Sequence, residues 1–457
     1  MTIRPLFAAV LLSATVAFLT PSPAEARTWK EPDSGTFDGS DNQWDTVPGA
    51  GDSAIFTGYP ASSEFTVTLT QDVTNAYIRL SGANAFELTL NLAGYRYTAS
   101  TNDGAVARDA NNSGNSLIIT GGGAFNVGNF IVGRGTGSSG KLALEGGSTM
   151  ETAGYLYVGS GGTGSFDITG GSKFNSTGEV SVGRSTAVSG KVLVSGSGSE
   201  LTAAGQIYFA SSNATGTVGE LTVEAGGKVA TTTEGTEGTI TFAYSAGSTA
   251  TVLITGEGSQ VYSRSGLAIG GTRNGNAGGT ADITVRDRGT LQAATTLQFY
   301  SGASLTVDGG TVLTRDFGTA SNAAAGEILL TLGNTATSAA SVRVSRDLFL
   351  DASTATLTLN LADGVSFGED DVIHLIDYKG TLTGTFSNYS EGQLVTLGDN
   401  QFSFSYTLGE EGNRFIGLAA IPEPNSVAFL ILGGLLAGAA RLRGCEKSPS
   451  KAMEHLF

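Results

Sequence analysis

The stretch that decides the fold is Lys141-Leu-Ala-Leu-Glu-Gly-Gly147, followed by Leu156-Tyr-Val-Gly159, and then the same order again in Ser165-Phe-Asp-Ile-Thr-Gly-Gly171 and Val180-Ser-Val-Gly183. Two apolar residues separated by one make a short strand with one buried face, because side chains alternate across a strand. A glycine pair follows, where left-handed backbone angles cost little, so the chain turns. A second apolar-x-apolar strand comes next, closed by a small residue.

Working outward, the unit restarts near Ser116, Lys141, Ser165, Lys191, Glu220, Thr251, Asp282 and Ser304, at spacings of 22 to 31 residues. Its opening apolar pairs run from Leu117 and Ile119 through Phe166 and Ile168 to Leu305 and Val307. Its second strands run from Phe130 to Gly133 through Ile207 to Ala210 and Ile240 to Ala243 to Leu297 to Tyr300. A fixed period of this length means a solenoid, and two strands with room for a third between them fit one turn of a parallel β-helix. A propeller blade needs about 40 or more residues. The expected fold is therefore all-β, a parallel β-helix with β caps, read as right-handed, followed by a C-terminal hydrophobic helix.

Composition agrees with this. The chain has 457 residues, 67 Gly, 9 Pro and 14% charged residues, which suits a turn-dense β protein with a large core. Two His and one Cys leave little material for neutral-pH proton transfer, thiolate attack or zinc ligation. The lone Cys445 allows no internal disulfide, so packing must supply stability. Net charge is −16, and without residues 1–26 and 441–457 the balance is 20 basic against 38 acidic side chains. Such acidity disfavours nucleic acid, whose phosphates need basic neutralisation.

The two ends carry the targeting signals. Arg4, an apolar run from Leu6 to Leu19, and Pro21-Ser-Pro-Ala-Glu-Ala26 read as a signal peptide over 1–26. Small residues at Ala24 and Ala26 stand before a cut ahead of Arg27 by signal peptidase. At the other end come Pro422-Glu423-Pro424, an apolar stretch from Val427 to Ala440, and then Arg441 and Arg443. The prolines break preceding structure, the apolar stretch favours hydrocarbon, and the arginines hold their end on the cytoplasmic side of the inner membrane.

This C-terminal order resembles the PEP-CTERM sorting segment of Gram-negative bacteria that make exopolysaccharide. The resemblance implies an exosortase-type processing peptidase as partner and delivery to the cell envelope, surface or extracellular matrix, with extracellular polysaccharide as a further partner. The family usually stops soon after the arginines, whereas here Gly444 to Phe457 continue as a tail. The repeat domain, read over 116–320, similarly resembles, over 116 to about 313, the β-solenoid repeat shared by PEP-CTERM proteins and autotransporter passengers. An autotransporter would also need a membrane barrel, for which 321–420 is too short.

The flanks, 27–115 and 321–420, are read as a β cap with first rungs and a C-terminal β region, since an open solenoid end leaves backbone groups ready to pair with another chain. In the rear piece, strands are expected near Leu357 to Leu361, Val372 to Ile376, Gln401 to Tyr406 and Arg414 to Leu418. Trp29 and Trp44 are expected to close the front of the core, with a sugar-stacking platform as the alternative. Glycoside hydrolysis would need two carboxylates roughly 5 to 10 Å apart. Glu145, Glu224 and Asp308 share one position of the unit but stand in the second, fifth and eighth units. His374, alone in an alternating strand, reads as structural. The loop Asp38-Gly-Ser-Asp41-Asn-Gln-Trp-Asp45 offers oxygens for calcium but lacks a full ligand pattern. The expected protein is a structural or adhesive surface component with no catalytic residue, cofactor or metal; a β-helix carbohydrate-active enzyme, lyase or glycoside hydrolase, is the alternative.

Overall fold

The structure, a computed structural model, describes residues 25–421 except 113, 186, 212–215, 273–274, 334–340 and 369–370. The expected signal peptide up to Ala24, the residues expected to form the sorting motif (Pro422, Glu423, Pro424, Arg441 and Arg443), the expected C-terminal helix and the 444–457 tail lie outside the described residues. What is described is an all-β parallel solenoid of about 12 turns, with no helix among these residues. At roughly 4.8 Å per turn the coil is about 55–60 Å long.

Each full turn contributes three strands, and the strands stack into three parallel ladders. The opening ladder carries the apolar pairs that start each repeat. It runs from Gly35–Thr36 through Asn115–Thr120, Ser139–Leu144 and Thr163–Ile168 to Ala324–Leu332 and the second half of Leu348–Leu361. The middle ladder runs from Val73–Asn75 through Thr149–Thr152 and Lys173–Ser176 to Val342–Val344 and Val372–Tyr378. The closing ladder begins with Ala26–Thr28 and continues through Leu156–Val158 and Val180–Val182 to Leu382–Thr383.

The register follows the repeat. Leu117, Leu142, Phe166, Val192, Leu221, Val252, Ile283 and Leu305 are direct ladder partners in that order. Each is buried to 3% exposure or less, so one apolar file runs the length of the repeat. A slip by one residue would turn the whole file outward, which is why the alternation specifies the pairing so strongly. The middle strands offer one large inward residue and then a small or hydroxyl one, as in Met150 and Thr152, Phe174 and Ser176, and Val261 and Ser263. The hydroxyls are buried and satisfied: Thr152 donates to Ser176 Oγ at 2.9 Å, and Ser263 donates to the Gly266 carbonyl at 2.7 Å.

The corners explain the glycines. After the closing strand, Gly159 and Gly183 sit at φ of 72° and 68°, and Ala210 and Ala243 hold the same left-handed place at 59° and 56°. That place therefore demands a small residue rather than glycine alone.

The front end is closed by aromatic rings. Trp29 and Trp44 are 0% and 3% exposed, edge-to-face at 5.1 Å, with Phe37 and Phe56 against them. The Trp44 indole N–H donates to the Phe37 carbonyl at 3.1 Å. Both rings are core, so neither presents a face to a sugar. At the rear, Val372–Tyr378 pairs in parallel with Val342–Val344 on one side and antiparallel with Asn413–Ala420 on the other. Asn400–Glu410 and Leu394–Leu397 continue that antiparallel sheet. Phe402, Phe404, Ile416 and Leu418 from it are buried in the same core. The change from parallel to antiparallel pairing turns the chain off the coil axis and gives the last middle strand a partner instead of an open edge.

Candidate functional site

The residues singled out in the sequence fall mostly into structural places. Ala26 opens the first closing strand as the partner of Ser53, while Ala24 lies outside the described residues. Glu145 and Glu224 occupy one outward file of the opening ladder with Thr169 and Ser195 between them, three coil steps or about 14 Å apart. Three further steps separate Glu224 from Asp308. No pair of these carboxylates has the spacing that cleaves a glycosidic bond.

The carboxylates of the front loop are occupied within it. Asp38 accepts from the Ser40 amide at 2.9 Å and from the hydroxyls of Thr36 and Thr70 at 2.7 and 2.9 Å. Asp41 accepts from the amides of Thr36 and Gln43, and Asp45 from those of Thr28 and Thr46. The donors around Asp38, led by the Ser40 amide, hold its carboxyl far below the usual range. These oxygens fasten a turn to the first coils.

His374 is different. It stands on Val372–Tyr378 with its ring stacked on Phe415 at 3.5 Å and 12°, and its Nδ1 is 3.0 Å from Asp377 Oδ1. With the ring proton on Nδ1, the imidazole donates to that carboxylate and turns Nε2 away from it. The pair lines a cleft of about 630 Å³ where the last coils meet the antiparallel sheet. Four cations line the same cleft: Arg315, Arg343, Lys379 and Arg414. They are four of the seven Lys and Arg between 286 and 421, and Asp377 is the single carboxylate in the lining.

The fold brings these cations together from distant positions. Arg343 is the outward residue of the short strand Val342–Val344 and the ladder partner of Asp377. Arg315 and Lys379 belong to the middle strands on either side of that one and their corner, and Arg414 arrives on the antiparallel return opposite Tyr378. Behind the cleft, Arg346 makes a two-pronged bond to Asp316 at 2.7 and 2.8 Å, and Arg315 Nε reaches the same carboxylate at 3.1 Å. The Tyr378 hydroxyl donates to the Tyr406 carbonyl at 2.8 Å, and burial raises it above the ordinary tyrosine value. It therefore stays protonated and committed to the fold. No family model, no curated protein and no solved structure matches this chain.

Chemically, the cleft is a cationic patch in an acidic protein. It can neutralise carboxylates or sulfates, and Gln292, Thr314, Ser345 and Asn413 add amides and hydroxyls. The sequence reading singled out His374 but missed the four cations. For Arg315, Arg343 and Lys379 the signal was charge along the last coils, visible only once the repeat register is carried past residue 313; Arg414, on the antiparallel return, left no such signal.

Proposed function

We propose that this chain is an exported structural or adhesive protein of a Gram-negative cell surface, built as a solenoid, without catalytic activity, and associated with extracellular polysaccharide. What supports this is the order of segments: an N-terminal stretch over 1–26 that reads as a signal peptide, one long coil, then Pro422-Glu423-Pro424, an apolar stretch, and Arg441 with Arg443. In this reading signal peptidase cuts after Ala26, and the sorting segment holds the chain in the inner membrane until an exosortase-type peptidase releases it. The coil supports a scaffold role because its stability is a sum over stacked turns, which gives length without disulfides. Cell fractionation with protease shaving of intact cells tests the reading. Surface-accessible protein that co-purifies with the polysaccharide matrix supports it, and protein confined to the cytoplasm overturns it.

One observation favours a second reading, a polysaccharide lyase. The pair His374 and Asp377 stands among cations that could neutralise a uronate carboxylate. In such an elimination a base removes the proton α to the carboxylate. The electron pair forms the C4–C5 double bond, the C4–O bond breaks, and the leaving oxygen takes a proton. The ultraviolet absorbance of the unsaturated product, measured with an acidic polysaccharide and lost in His374→Ala, would establish it. Hydrolysis is the poorer fit, since the lining holds one carboxylate where two are needed.

A further inference from the structure

The rear cleft also bears on which kind of polysaccharide the protein holds. We infer that the cleft binds the carboxylates of an acidic polysaccharide, whose chain extends along the outward file of the middle ladder. This rests on the polysaccharide association proposed above and names its chemical class.

One of the two outward files of the middle ladder runs through Asn126, Glu151, Asn175, Thr202, Ala230, Tyr262, Gln292, Leu313, Arg343 and Asp377, which are partners in that order. Two hollows lie on this file. The forward one, about 500 Å³, is lined by Asn126, Glu151, Asn175, Thr202 and neighbouring threonines, and carries no cation. The rear one is the cationic cleft. The file offers Asn126, Asn175, Thr202, Tyr262 and Gln292 to sugar hydroxyls, with Glu151, Ala230 and Leu313 between them, and ends where four positive side chains converge.

Two features bear on the choice of a glycan over another polyanion. A nucleic acid chain without sequence preference is held by stacking bases on exposed aromatic rings. In the cleft lining the one aromatic side chain besides His374 is Tyr378, which is 1% exposed. The volume lies in the range of sites for small ligands, room for a short stretch of sugar rings. The cations are outward-facing: Arg343 and Lys379 are exposed and Arg315 keeps 44% of its side chain accessible, so they can reach a ligand without disturbing the core.

The test is a titration of the full-length chain in non-ionic detergent with an oligogalacturonate, its carboxyl-reduced counterpart and single-stranded DNA. The inference expects binding of the oligogalacturonate that weakens with added salt, and no binding of the reduced sugar. The combined variant Arg343→Gln, Lys379→Gln, Arg414→Gln should weaken binding by at least tenfold, since one charge-assisted contact is worth about that much. The variant Lys141→Gln, Lys191→Gln, which removes two cations from the opening ladder, should bind as the native chain does. Equal binding of the reduced sugar, unaltered binding by the triple variant, or tighter binding of DNA each overturns the inference. The reduced sugar is tested on the native chain, so that outcome does not depend on how a variant folds. A chain that reaches the cell surface yet ignores oligogalacturonate leaves the exported scaffold standing and removes this inference alone.

Discussion

Replacing Phe166 by alanine should open the coil in its middle while leaving both ends closed. Phe166 is fully buried on the opening ladder between Leu142 and Val192, with its ring edge-on to Phe174 at 5.3 Å. Truncating a buried phenylalanine costs about 3–5 kcal/mol, of which the ring pair accounts for about 0.5–1.5. In a stacked coil the loss falls on one turn and its two interfaces, because each turn touches only its neighbours. Amide hydrogen exchange reads this directly. Protection of the strands Thr163–Ile168 and Ser189–Ser195 should fall by roughly two to three and a half powers of ten. The front strands around Ser53–Phe56 should keep theirs. Phe166→Leu, closer in volume, should cost less than about 1.5 kcal/mol. A loss below one power of ten in Phe166→Ala, or an equal loss along the whole coil, would refute the stacked-file account.

Other expectations concern the corners and the front cap. Gly140, Gly164, Gly190 and Gly219 share one ladder position with Ala250, Ala281 and Ala303. At Gly190 an added Cβ would run into the Gly183 amide and the Val158 carbonyl, so Gly190→Ala should destabilise by about 1–3 kcal/mol in urea unfolding; a neutral result would mean the corner yields more than its backbone contacts suggest. Asp52, fastened chiefly by the Gly49 amide and also by Arg27, has its carboxyl lowered from 3.8, as Asp38 does by its own donors. A lowered folded-state value means stability that is fully present above the unfolded value and lost as pH falls through the folded one. The front cap should therefore loosen only below about pH 4. Trp29 and Trp44 are the two tryptophans of the chain and both sit in that cap, so their emission should shift to the red there. Emission unchanged until the whole coil unfolds by circular dichroism would contradict this.

The coil was legible in the sequence because its inward residues are large and alternate, so Leu117 to Leu305 fall into the same file in the sequence repeat as in the structure. The middle strand was harder to see for a physical reason. Its second inward place must be small to let the backbone bend toward the closing strand, and Thr152, Ser176 and Ser263 there read as turn residues. The register was readable from 116 to 313 and failed where unit length changes, which hid the parallel turns continuing to Val372–Tyr378. That is also why the basic cleft was not foreseen. Arg315, Arg343 and Lys379 come together through ladder pairing past the last recognisable unit, and Arg414 through an antiparallel return that no repeat encodes. Trp29 and Trp44 were readable as a cap because large rings with one polar edge suit the end of an apolar core.

The central claim is export and sorting of an acidic coil, and its most direct test is the location and mass of the protein in its host with and without alteration of Pro422-Glu423-Pro424. The account predicts that the native protein reaches the surface with the segment after residue 421 removed, and that the altered chain stays in the inner membrane at full length. Native and altered protein both found in the cytoplasm, or both at the surface uncut, would contradict it.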